Sequence, residues 1–168
     1  LLEKLSGEQT RWEAMEHDLS AESSALPANV MLSAMFITYL ADEQEAARQS
    51  FLQQAAELLH RAKLSSSESF DLLGFLSSEG ELLKWKALGL PSDRLSHENG
   101  IVLTRTKQAP FVIDPSSAAV EWLKNTLREG QLSVEVVSSH ELRLANAVEL
   151  AVRFGKTIFV QEVDAVDP

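Results

Sequence analysis

Apolar residues recur along the chain with several spacings, and each spacing predicts a different kind of element. In the first segment Leu5, Trp12, Leu19 and Leu26 fall seven apart, with Leu1 and Met15 in the complementary d-type positions and charged residues between them. A narrow seam of this period predicts a helix that either ends a coiled coil or packs on its own domain. Glu8 and Glu22 lie in the seam, and so few heptads leave the two readings open. Pro27 fits the first turn of a new helix, where no backbone N–H is needed. Val30, Met31, Ala34, Met35, Ile37 and Leu40 then cover so much of the circumference that a helix buried on several sides is expected. Asp42, with Glu45 three residues on, resembles a capping box, and Ala47, Phe51, Ala55 and Leu58 or Leu59 make one stripe of the helix that follows.

The polar stretch LSSSESF, residues 64–70, is the expected internal boundary after an all-helical front. A short helix in EGELLKWKALG should stop at Gly89, with Pro91 just beyond. The segment ENGIVLTRT fits strand or helix, since its β-branched run competes with helical spacing of Leu95, Glu98, Val102 and Arg105. A strand at Phe111 to Asp114, a helix at Ala118 to Arg128, a strand at Leu132 to Val137, a helix at Leu142 to Phe154 and a strand at Thr157 to Val163 complete the pattern. Strands alternating with helices of this length predict βαβ units and a parallel sheet, hence an α/β fold class with a helical N-terminal extension.

Composition narrows the chemistry. With 15 basic and 25 acidic residues the formal net charge is -10, which disfavours a nucleic-acid backbone binder. No cysteine is present, so disulfides and thiolate metal sites are excluded. His17, His60, His97 and His140 lack metal-ligand spacing and are expected in surface or packing roles. The longest apolar stretch, Val30 to Ala41, falls far short of the roughly 20 residues a bilayer span needs, so no membrane partner is expected. Trp12, Trp85 and Trp122 are expected in the core, and Lys84, Lys86 and Arg94 on a solvated face. The chain opens on LLEKLSGEQTRW, in mid-helix and without Met, and reads as a piece of a longer one.

FVIDPSSAAVEWLK, residues 111–124, runs from a hydrophobic stretch through a Pro/Ser turn into a helix, where a phosphate-binding loop would sit. Such a loop needs glycines to free its backbone amides, a Lys for charge, and a hydroxyl for magnesium. Here Asp114 and Ala119 stand at the glycine positions, Val120 at the Lys and Glu121 at the hydroxyl. Each like-charge contact of a phosphate with Asp114 or Glu121 at about 4 Å costs on the order of a few kcal/mol. A helix N-terminus returns only about half a unit charge, so repulsion should win. In TIFVQEV, Gln161 takes the place of the magnesium-binding Asp of an ATPase and Glu162 follows it, a base with no metal beside it. No catalytic, nucleotide-binding or metal residue is therefore expected in this segment.

GLPSDRLSHENGIVLTRTKQAPFVIDPSSAAVEWLKN and ELAVRFGKTIFVQEVDAVDP resemble the fifth AAA+ module of a dynein heavy chain. GEQTRW and VMLSAMFITYL look like the segment joining the returning stalk to that module. PSSAAVEWLK and ELAVRFGKTIFVQE are more similar to the intraflagellar-transport class, cytoplasmic dynein 2, than to the cargo-carrying or axonemal classes. The resemblance implies a stalk-base coiled-coil helix over residues 1–26, a helical connection over 27–91 and an incomplete AAA+ large subdomain with a degenerate phosphate loop over 92–168. It implies a helix around Asp93 to Thr106, and further strands, an arginine-bearing element and a lid beyond Pro168. It further implies a minus-end-directed microtubule motor, found in cytoplasm, cytoskeleton and cilium or flagellum. ATP and magnesium would be held in other modules. Partners would be the neighbouring modules and stalk, the microtubule, and light and intermediate chains at the tail.

Two other readings stand beside a non-hydrolysing relay between ring and stalk. One is a regulatory nucleotide site whose phosphate contacts come from elsewhere, such as Lys156 or a neighbouring module's arginine. The other is a free-standing helical scaffold joined to a small α/β binding domain.

Overall fold

A computed structural model describes residues 2–64 and 70–164, with side chains from residue 7 onward. Seven helices and two strands are present among them: α1 (Leu2–Tyr39), α2 (Glu45–Arg61), α3 (Leu72–Leu76), α4 (Glu79–Ala87), α5 (Arg94–Arg105), α6 (Ala118–Glu129), β1 (Val134–Ser138), α7 (Leu144–Phe154) and β2 (Thr157–Gln161). They form two compact units, residues 1–82 with 92–111, and residues 83–91 with 112–168. Leu1, the side chain of the seam position Leu5, and residues 65–69 of the expected boundary lie outside what is described.

The first unit is helical. Its long helix α1 does not restart at Pro27 but runs through it. The proline lies on the exposed face beside exposed Ser23, whose carbonyl loses its helical donor but can be served by water. Burial after Pro27 follows one stripe rather than several sides: Ala28, Leu32, Phe36 and Leu40 are buried, while Val30, Met31 and Tyr39 are exposed. The expectation of all-round burial thus counted apolar residues without fixing which side faced α2. Ala28 and Leu32 pack with Ala55 and Leu59 of α2, flanked by Met35, Leu52, Ala56 and Phe70.

Gln44 stands at the N-cap of α2 and makes no side-chain cap, so the expected Asp42–Glu45 capping box is not formed. Glu45 becomes the first helical residue, where its charge complements the free N–H groups. Phe51 and Leu58 are largely exposed; Ala55 and Leu59 hold the buried stripe. Two residues past the end of α2, Lys63 lies in the left-handed region at φ 64. Its N–H donates to the His60 carbonyl, and that of Leu64 to Leu59, which closes the last turn. Helix α3, five residues long, was not foreseen, while ENGIVLTR resolves as helix α5, capped by Asp93. Arg94 is exposed, as expected, and pairs there with Asp71 at 2.9 Å and Glu98 at 2.8 Å.

In the second unit β1 and β2 pair in parallel, from Val134 beside Thr157 to Ser138 beside Gln161. Helices α6 and α7 pack on this sheet, the arrangement expected for a βαβ unit and for part of an AAA+ fold with a helical N-terminal extension. The strand expected at Phe111 to Asp114 is absent: these residues join no ladder, and Phe111 and Ile113 are exposed. A strand exists only through its neighbours, and apolar content alone supplies none. The end of α4 lies here, with Gly89 at φ +107 and the Leu90 N–H on the Trp85 carbonyl, as the Gly-then-Pro signal predicts. Trp85 and Trp122 are buried edge to face, with ring centroids 5.4 Å apart. Lys84 is exposed, as expected, and pairs at the surface with Glu129 at 2.9 Å.

Candidate functional site

The turn before α6 is built from D-P-S-S, in which Asp and Ser side chains readily bond nearby backbone and Pro pre-sets φ. Ser117 sits in the left-handed region at φ 59, immediately before the helix. Its N–H donates to the Asp114 carbonyl at 3.2 Å, which closes the turn. The Asp114 carboxylate then reaches forward, and its Oδ2 accepts from the Val120 N–H at 3.0 Å. Ser116 Oγ donates to Asp114 Oδ1 at 3.3 Å and accepts from the Ala118 N–H at 3.4 Å.

Two of the phosphate-loop positions, Asp114 and Val120, are therefore brought together. Their contact places a carboxylate where the first-turn N–H groups would otherwise face an incoming anion. Glu121 is exposed, and its hydrogen bond to the Lys124 ammonium, 2.8 Å away, holds its carboxyl below the usual range. Ala119 is half-buried in the first turn.

The Gln161–Glu162 pair lies at the end of β2. Gln161 is the register partner of Ser138, and its carbonyl accepts from the Ser139 N–H at 2.8 Å. Glu162, at φ 57, leaves the strand in the left-handed region. Its carboxylate accepts from the Ser138 hydroxyl and its carbonyl from the Ser139 hydroxyl. Glu141 joins this rim: its Oε1 accepts from the Ser138 N–H at 3.1 Å, and it pairs with Arg143. The Arg143 contact first, and the Ser138 N–H second, keep its carboxyl below the usual range. His140 lies 3.5 Å from Asp164. Among the described residues no His/Cys/Asp/Glu group is arranged to hold a metal ion. Lys156, the candidate phosphate contact from outside the loop, lies 3.8 Å from Glu135.

Sequence reasoning missed Ser116, Ser138, Ser139 and Glu141. The D-P-S-S run could have flagged Ser116 as a capping hydroxyl. Nothing local could have flagged Ser138, which meets Glu162 only once β1 and β2 are paired.

Residues 83–168 match the model of the ATP-binding dynein motor region. Cytoplasmic dynein 2 heavy chain 1 of Mus musculus is 43% identical over 168 residues, which is all of this chain and 4% of the mouse protein. The protein of that name from Chlamydomonas reinhardtii is 45% identical over 169 aligned residues, again all of this chain and 4% of the relative. The same alga's dynein-1-beta heavy chain of the flagellar inner arm I1 complex is 31% identical over 174 aligned residues, with the same shares covered. The chain thus spans about 4% of the length of the curated relatives it matches. The parallel βαβ unit, the loop that precedes α6 and these alignments agree: the chain belongs to the ATP-binding dynein motor region family.

Proposed function

We propose that this segment is a non-hydrolysing AAA+ module of a minus-end-directed microtubule motor, relaying conformational change between the ATPase ring and the microtubule-binding stalk. The observation that carries this reading is the Asp114 carboxylate on the Val120 N–H. A phosphate entering there would have to displace a tethered anion and would meet Val120 in place of a lysine. Identity of 43% and 45% to dynein 2 chains, against 31% to an axonemal one, supports retrograde intraflagellar transport as the setting, in cytoplasm and cilium. The exposed seam of Trp12, Met15, Leu19 and Leu26 along α1 supports a coiled-coil partner in the stalk. ATP and magnesium act in other modules. The partners are the adjoining modules and stalk, the microtubule, and light and intermediate chains at the tail.

A cryo-electron microscopy map of the whole motor with Mg-ADP-vanadate tests this directly. The expected map has nucleotide in other modules and none at the start of α6. Nucleotide density against residues 114–121 overturns the relay reading in favour of a regulatory site.

A further inference from the structure

Among the described residues, one charged pair, in the helical unit, is almost wholly removed from water. Arg48 of α2 and Glu98 of α5 are each almost wholly buried, with Arg48 Nη1 3.3 Å from Glu98 Oε2. The rest of the guanidinium is fully engaged. Nε donates to the Glu43 carbonyl at 2.8 Å, and Nη2 to the Ala41 carbonyl at 2.9 Å and to Asn99 Oδ1 at 2.8 Å. Its carbon lies 5.3 Å from the centroid of the Phe36 ring, itself buried on α1. Glu98 in turn accepts from Arg94, which reaches Asp71 ahead of α3.

One planar side chain thus ties the last turn of α1 and the link that follows it to α5. We propose that Arg48 is the positioning residue through which displacement of α1 reaches α5, an inference that rests on the relay reading above. Three features single out this group. The hydrogen bonds radiate from a rigid fork, so the link that follows α1 and helix α5 cannot shift against each other without breaking several at once, and the Phe36 ring over the guanidinium joins the end of α1 to the same group. The charges are buried, so each broken bond leaves a group that water does not readily serve. The apolar contacts of α1 with α2 are, by contrast, non-directional and tolerate small slippage. A buried ion pair adds little net stability compared with apolar residues of similar size, and its better-attested use is to fix one arrangement among several. Arg48 therefore makes the seating of α1 discrete, the property a two-state relay requires.

The test uses the full-length motor carrying Arg48→Met together with Glu98→Leu, a paired change that leaves no lone buried charge. Expected are unchanged basal ATPase and unchanged overall amide protection, with microtubule stimulation of the ATPase reduced about 5-fold or more. In the unaltered motor, amide exchange around residues 36–41 and 98–102 should respond together to microtubule binding; in the variant only the first group should respond. A paired variant that retains full stimulation and joint response overturns the proposal. Should that variant fail to assemble, Arg48→Lys decides: lysine keeps the charge near Glu98 but not the fork. Reduced stimulation in a folded motor supports the assignment, and wild-type behaviour overturns it. If the unaltered motor shows no microtubule stimulation at all, the relay reading fails, independently of Arg48.

Discussion

Asp114 illustrates how one side chain occupies a helix start, its carboxylate accepting from the Val120 N–H. Removing a capping carboxylate costs about 1 kcal/mol of local stability, equivalent to roughly fivefold faster opening. Asp114→Ala should therefore speed amide exchange of Val120 about fivefold in the intact motor, while Asp114→Asn, still an acceptor, should change it little. Equal protection in the alanine variant would show that the contact carries no energy. Asp93 gives the pH dependence at this scale. Its carboxylate accepts from the Ser96 hydroxyl and N–H, which lower its pKa from the ordinary value of 3.8. A depressed folded pKa means that the cap's contribution is complete above the ordinary value and disappears as pH falls through the lowered one. The first turn of α5 should thus keep its exchange protection at pH 5 and lose it in stronger acid, and Asp93→Asn should flatten that dependence. Trp122, packed against Trp85, is the largest fully buried side chain among the described residues: Trp122→Ala should remove about 3–5 kcal/mol from the second unit, read as collapse of protection in α6 and β1.

Helices α6 and α7 and the strands β1 and β2 fall within a residue or two of where periodicity and flanking turn residues place them, while the helix α5, which periodicity left open, lies where the family resemblance implied it. Their signals are local: Gly89 in a left-handed turn stops α4, and Asp93 caps α5. Elements went astray where the decisive partner was distant. Phe111 to Asp114 has strand composition but no neighbouring strand among the described residues. Pro27, read as a boundary, is carried inside α1 because the neighbouring Ala25 and Ala28 are buried and anchor the helix on both sides. Pro27→Ala restores an N–H for the Ser23 carbonyl. It should stabilise α1 by about 1–3 kcal/mol, seen as at least fivefold slower exchange of amides 24–31. No slowing would mean that water already satisfies the Ser23 carbonyl at no cost.

Across the whole molecule, much apolar surface remains outside either unit's core. Trp12, Met15 and Leu19 line one side of α1, and Leu142, Val152 and Phe154 are exposed around α7. Apolar surface of this extent is the mark of faces made for contact. The isolated 168-residue chain should accordingly self-associate at micromolar concentration in light scattering coupled to size exclusion; a monodisperse monomer with a sharp thermal transition would contradict this. The sequence by itself determined most of the helix–strand alternation, the parallel α/β class and which residue types, Asp114, Val120, Glu121 and Gln161, stand at the phosphate-loop and ATPase-strand positions. These follow from side-chain period and residue type, which are properties of neighbours along the chain. Only the tertiary structure decided which face of α1 is buried, that Glu162 meets Ser138, and that Arg48 meets Glu98 fifty positions away. Each depends on where separate elements come to rest, because hydrogen bonds and desolvation act across space between residues whose separation in sequence carries no signal.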